Sequence, residues 1–180
     1  MTFPDNQEIR QRAVNIKLLT LDVDGVLTDG RLYFDQDGNE TKAFYTRDGL
    51  GMKALQQFGM KLAIITGRKS QIVSERADQL GVEFVYQGRN DKLNALNELV
   101  SESGIGVEEI CYAGDDWIDV PVLQRVGLAV APADASAMAK QEAHWVTGAA
   151  GGHGAVREIC EFILNAKDLD RQLYQAIEDL

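Results

Sequence analysis

Leu18-Leu19-Thr20-Leu21 runs directly into Asp22-Val23-Asp24-Gly25, so a short apolar segment stops at two aspartates and a glycine. The same junction recurs along the chain. Leu62-Ala63-Ile64-Ile65 leads into Thr66-Gly67-Arg68, and Ile110-Cys111-Tyr112-Ala113 leads into Gly114-Asp115-Asp116, with Asp119 one helical turn further on. β-rich segments at 16–21, 60–66, 82–86, 110–113 and 127–131 alternate with helical patterns at 50–58, 70–80, 92–103 and 118–125. Such alternation predicts βαβ units, hence a parallel sheet with helices on both faces, an α/β fold of three Rossmann-like layers. The strands are almost continuously apolar, as befits segments buried on both sides.

One segment departs from this rhythm. Residues 31–35 and 41–46 flank Gln36-Asp37-Gly38-Asn39, and Asp-Gly is a strong hairpin signal. The expectation is a β-hairpin, 31–46, inserted between the first strand and the first helix. Residues 168–180 read as a final tail helix. Without repeats, low-complexity tracts or a linker, residues 1–180 read as one domain. Cys111 lies in an apolar run and Cys160 shares helical spacing with Val156, Ile159 and Ile163, so both are expected as core residues rather than a disulfide or a nucleophile.

Of the 180 residues, 45% are hydrophobic and 26% charged, a globular rather than a disordered balance. No apolar run approaches the roughly 18 residues that span a bilayer, and the polar first dozen residues lack a signal-like apolar stretch. A cytoplasmic location is the expectation. The net charge of −10 disfavours nucleic acid and anionic membrane as partners. It also means that an anionic substrate needs local help, from a divalent cation and one or two basic side chains.

In a parallel sheet the polar residues after each strand lie along one edge, where ligands bind. Lys92, opening the helix after the 82–86 strand, reaches the same edge. Several carboxylates, a hydroxyl and a lysine therefore converge. Carboxylates so close together call for a hard cation, and an all-oxygen set suits Mg²⁺. One carboxylate can attack phosphorus, and a second, two residues on, can protonate the leaving oxygen and later activate water. The lysine offsets charge on the phosphoryl group while Thr66 and nearby amides hold its oxygens.

Asp22-Val23-Asp24-Gly25-Val26-Leu27-Thr28-Asp29 resembles the first motif of the haloacid dehalogenase superfamily, Thr66 its second, Lys92 its third and Gly114 to Asp119 its fourth. Thr46-Arg47-Asp48-Gly49-Leu50-Gly51, Thr66-Gly67-Arg68 and Gly151-Gly152-His153-Gly154-Ala155-Val156-Arg157-Glu158 resemble its capless subfamily of 3-deoxy-D-manno-octulosonate 8-phosphate phosphatases. The resemblance implies a phospho-aspartate mechanism in lipopolysaccharide core sugar biosynthesis. Asp22 would be nucleophile and Mg²⁺ ligand. Asp24 would be general acid/base, its carbonyl also on the metal, and Asp115 the other ligand, with Asp116 and Asp119 beside them. Thr66, Gly67, Arg68 and Lys92 would bind the phosphoryl group. The subfamily's members are homotetramers whose hairpins associate, so that a neighbouring copy helps close each site.

Some residues keep two readings. Arg47 and Arg157 suit a substrate carboxylate or an ordinary ion pair. Trp117, a departure within the fourth motif, either narrows the site or packs on its rim. His153 shapes its loop or touches substrate, His144 is expected to be structural, and Trp145 to lie in a buried strand. Two rival functions remain: a phosphatase for nine-carbon, sialic-acid-type sugar phosphates, and a phospho-accepting receiver domain of signalling proteins. The receiver places its paired acids ahead of a mid-domain acceptor aspartate, the reverse of the order here.

Overall fold

The computed structural model describes residues 3–178. Strands β1 (Leu18–Leu21), β4 (Lys61–Thr66), β5 (Phe84–Gln87), β6 (Ile110–Ala113), β7 (Leu128–Ala131) and β8 (Trp145–Val146) form one parallel sheet in the order β5-β4-β1-β6-β7-β8. The chain winds outward from β1 through β4 to β5, then returns to β6 on the other side of β1. This reversal puts the crevice above β1 and β6, where Leu21 pairs with Ala113. Helices α1 (Gln7–Asn15), α2 (Thr46–Gln57), α3 (Gln71–Leu80) and α7 (Ala155–Ala166) cover one face. On the other lie α4 (Lys92–Ser103), α5 (Val120–Leu123) and α6 (Ala137–Glu142). The tail helix is α8 (Asp170–Glu178), and the last two residues of the expected 168–180 segment lie outside the described range.

Several boundaries differ from the sequence expectation for local reasons. The strand expected from residue 82 starts at Phe84, because the Val82 amide donates to the Ala77 carbonyl past Gly81, whose φ of +67° ends α3. Likewise β4 starts after Met60, whose amide donates to Leu55 O. The helix expected at 50–58 begins at Thr46, taking in Gly49 and Gly51 despite their poor helix propensity. A Cβ on Gly49 would lie 2.5 Å from Arg76 Nη2, and one on Gly51 3.1 Å from Cys160 Cβ. Close helix packing is what those glycines allow. The helix expected at 118–125 is split into a 3₁₀ turn, Trp117–Asp119, and α5, with Pro121 in its first turn.

The inserted hairpin is real but short: β2 (Tyr33–Phe34) pairs antiparallel with β3 (Glu40–Thr41). Asp35 closes the turn, accepting from the amides of Asp37 and Asn39 and from the Asn39 side chain. Leu32, Tyr33 and Phe34 are exposed, whereas Phe44 packs onto the core and does not extend the ribbon's free apolar face. No cap domain lies between β1 and α2. Cys111 and Cys160 are buried free thiols, and burial pushes both pKa values up. Trp145 is buried against Phe162, and His144 Nδ1 accepts from the Ala129 amide, a structural role.

Candidate active site

A cleft of about 520 Å³ opens at the carboxyl edge of the sheet, lined chiefly by Asp22, Asp24, Thr66, Arg68, Asp115 and Asp116. Adjacent strands supply its floor: Asp22 follows β1, Thr66 ends β4 and Asp115 follows β6. The Asp22 amide donates to Ala113 O at 3.0 Å, fixing the first aspartate against the strand that delivers the other.

The loop after β1 is held by its own residues. Val23 O accepts the amides of Val26, Leu27 and Thr28, and Thr28 Oγ1 accepts those of Gly25 and Gly30. Gly25 has φ +97°, and a Cβ there would lie 2.1 Å from Asp115 Oδ2, so only glycine lets the two acidic loops meet. A Cβ on Gly151 would fall 1.8 Å from Gly25 O. The 151–154 loop thus buttresses the loop after β1, and the neighbouring Gly148 and Ala149 amides bond the buried Glu158 carboxylate.

Three carboxylates, Asp22, Asp115 and Asp119, bring one oxygen each within 4.8 Å of one another. Their surroundings differ. Asp119 is consumed: Oδ1 accepts from Lys92 Nζ at 2.6 Å and from the fully buried Tyr112 hydroxyl, and Oδ2 from the amides of Asp115 and Asp116, both at 3.0 Å. Asp115 Oδ1 is buried with no hydrogen-bond partner. Burial, then the nearby Asp22 and Asp119 charges, pushes the Asp115 pKa up to about 8. Burial also raises Asp22 to about 6, although Lys92 Nζ stands 3.0 Å from its Oδ1 and opposes the rise. An unpartnered buried oxygen beside a second carboxylate whose pKa is raised by burial is a donor set that suits a hard cation. The residues fit one: Asp22 and Asp115 offer carboxylate ligands, and Asp119 braces Lys92 and the Asp115 loop. Burial alone would discharge Lys92, but the Asp22 and Asp119 charges hold its pKa above the ordinary lysine value.

The remaining expected residues divide. Gly67 lines the cleft, where a Cβ would lie 2.8 Å from Asn90 Oδ1. Arg68 also lines it, its Nη2 donating to Glu40 at 2.7 Å. Asp116 is exposed at the lip, and Trp117 stands 69% exposed just beyond, so in a single chain it sits at the rim without filling the cleft. Arg47 and Arg157 do not line the cleft; Arg47 lies 5.9 Å from the Tyr45 ring, and Arg157 Nε donates to Glu161 at 2.6 Å. Sequence reasoning missed Tyr112 and Lys42. Tyr112 is hidden inside an apolar strand, and Lys42, from the hairpin, donates to the Asp24 carboxylate. A strand tyrosine two residues before Gly114 is a usable signal, whereas a hairpin lysine is not.

Residues 84–159 match the family model of haloacid dehalogenase-like hydrolases. The 3-deoxy-D-manno-octulosonate 8-phosphate phosphatase of Yersinia pestis is 47% identical over 92% of this chain and 88% of its own. A probable YrbI family phosphatase from Pseudomonas syringae superposes with a TM-score of 0.93 at 49% identity, covering 96% of this chain and 98% of that one. The Moraxella catarrhalis 3-deoxy-D-manno-octulosonate 8-phosphate phosphatase, crystallised with magnesium, phosphate and KDO, gives 0.91 at 43% identity over 93% of this chain and 97% of that one. With near-complete coverage in both directions and the four acidic and basic motifs meeting at one sheet edge, the chain belongs to the 3-deoxy-D-manno-octulosonate 8-phosphate phosphatase family of haloacid dehalogenase-like hydrolases.

Proposed function

We propose that this protein hydrolyses 3-deoxy-D-manno-octulosonate 8-phosphate to the free sugar acid and phosphate, in lipopolysaccharide core sugar biosynthesis, with Mg²⁺ as cofactor. The observation that carries this reading is Asp22, poised between Lys92 and Asp115 at the head of the cleft, in a chain 47% identical to a phosphatase of that substrate.

In this reading Asp22 attacks phosphorus and the sugar's C8 oxygen leaves, taking a proton from Asp24. The Asp22 acyl phosphate then hydrolyses as Asp24 removes a proton from water. Lys92 sits against the transferring phosphoryl group, held there by Asp119, and Thr66 with the amides of Gly67 and Arg68 receives its oxygens. Bound Mg²⁺, held by Asp22, Asp115 and the Asp24 carbonyl, would counter the burial that raises the Asp22 pKa and so favour its nucleophilic carboxylate form.

The whole chain acts as one capless unit, working as a homotetramer in the cytoplasm. The exposed Leu32-Tyr33-Phe34 ribbon supports self-association, since a free two-stranded hairpin is marginal in water. The two buried free thiols are in keeping with a reducing compartment, and no helix among the described residues is long and apolar enough to cross a membrane. Arg47 and Arg157, outside the cleft of their own chain, are candidates to meet the substrate carboxylate at a neighbour's cleft. The test is kcat/KM measured in parallel, with Mg²⁺, for the octulosonate 8-phosphate, a nine-carbon sugar acid phosphate, glucose 6-phosphate and a nucleotide. The eight-carbon acid should lead. Parity with glucose 6-phosphate would overturn the substrate assignment, and a lead of about tenfold for the nine-carbon acid, about 1.4 kcal/mol, would transfer it.

A further inference from the structure

The hairpin brings a charge to the catalytic edge that no strand-end motif supplies. Lys42 follows β3, and a lysine on a two-stranded ribbon ordinarily extends into water. Here its side chain is 2% exposed, and its ammonium donates to Asp24 Oδ1 while lying 3.5 Å from Glu40 Oε1. Glu40 is held from its other side by Arg68 Nη2 at 2.7 Å, and Arg68 Nε lies 3.8 Å from Asp24 Oδ2. Two acids and two bases, drawn from the hairpin and the loops after β1 and β4, close a network with no net charge. Burying an ammonium is costly unless it is paired, so the network holds Lys42 against Asp24 and Glu40. Asp24 Oδ2 makes no hydrogen bond among the described residues, leaving it open to the reacting atoms.

We propose that Lys42 is a positioning residue for Asp24, so that the hairpin completes the catalytic edge as well as covering it. By occupying Oδ1, Lys42 fixes the rotation of the carboxylate and presents Oδ2. The inference rests on the reading of Asp24 as acid and base. In the hydrolytic half, Oδ2 takes one proton from water, the water oxygen bonds phosphorus, the bond from phosphorus to the Asp22 oxygen breaks, and phosphate departs with Asp22 restored as carboxylate. Misplacing a reacting group by about 1 Å can cost as much as 10²-fold.

p-Nitrophenyl phosphate isolates this half, because its leaving group departs without a proton, so a variant impaired at Asp24 is limited by hydrolysis of the acyl phosphate. In the Mg²⁺-loaded full-length protein, Lys42→Met should lower kcat and KM together, by about ten- to a hundredfold. Its kcat/KM should stay within about threefold, with a burst of one p-nitrophenolate per subunit. Lys42→Arg should restore most of kcat. Asp24→Asn is the reference and should show the same pattern more deeply. A Lys42→Met enzyme with unchanged kcat, or with raised KM and unchanged kcat, overturns the proposal. So does a fall in kcat/KM accompanied by a lower Tm and no burst, which is the behaviour of a merely structural lysine. Absence of the burst in Asp24→Asn instead removes the acid/base reading itself, and the proposal with it.

Discussion

Replacing Asp115 by asparagine should stabilise the metal-free protein while destroying its use of Mg²⁺. In the metal-free fold the Asp115 pKa is raised from 3.8 to about 8 by burial and by Asp22 and Asp119. Between those values the folded chain keeps a proton that the unfolded chain has released, so stability falls as pH rises through this window and levels off above about 8. At pH 7 the gap is roughly three pH units at 1.36 kcal/mol each, or about 4 kcal/mol. Relaxation and shared titration with Asp22 reduce this to about 2–4 kcal/mol. Asparagine carries no charge, and its amide can donate toward Asp22. At roughly 2–4 °C per kcal/mol for a chain of this size, Asp115→Asn in EDTA at pH 7–8 should melt roughly 4–16 °C above the parent. The assay is thermal unfolding from pH 5 to 8, with EDTA and with saturating Mg²⁺. Mg²⁺ should raise the parent's Tm and leave the variant's unchanged, and the variant should release no phosphate. An Asp115→Asn protein that melts at or below the parent in EDTA at pH 8, or that retains the parent's pH slope, would refute the reasoning.

Asp48 tests the same physics away from the metal. It is buried with Oδ2 unpartnered and Oδ1 accepting the Arg157 amide in the first turn of α7, and burial raises its pKa to about 6. Its ionisation therefore costs stability as pH rises from 4 to 6, up to about 3 kcal/mol, and Asp48→Asn should flatten that part of the urea-unfolding profile. Gly151→Ala places a methyl 1.8 Å from Gly25 O, so it should cost about 1–3 kcal/mol in denaturant midpoint and lower kcat by shifting the Asp24-Gly25 turn. Phe34→Lys, on the exposed ribbon, should turn the proposed tetramer into smaller species in light scattering and lower activity with it; an active tetramer would remove the hairpin from the interface.

The sheet and the catalytic edge were legible because burial on both faces forces strands to be continuously apolar, so a carboxylate can appear only where a strand emerges. Asp22, Thr66 and Asp115 stood out for that reason. Tyr112 did not, because its ring satisfies the apolar strand while its hydroxyl serves Asp119. Helix α1 was not read because only Ala13 among its nine residues is buried, leaving little periodicity, although Asn6 caps it by accepting the Glu8 and Ile9 amides. The start of α2 was displaced by Gly49 and Gly51, whose purpose is a close approach to Arg76 and Cys160 that is far away in sequence. Lys42 was invisible on the same ground: its burial depends on where the hairpin folds, and two-residue strands carry too little pattern to say.

The central claim is that phosphate passes through Asp22, and trapping it there is the most direct test. The Asp24→Asn protein, mixed with Mg²⁺ and p-nitrophenyl phosphate, whose leaving group needs no proton, and quenched in acid, should hold a phosphoryl group, with peptide mass mapping placing it on Asp22. Hydroxylamine should release it, as expected of an acyl phosphate, and the Asp22→Asn protein should trap nothing and lose about 10⁴- to 10⁶-fold in turnover. A phosphoryl group found on another residue, or phosphate release persisting near the parent rate in Asp22→Asn, would contradict the account.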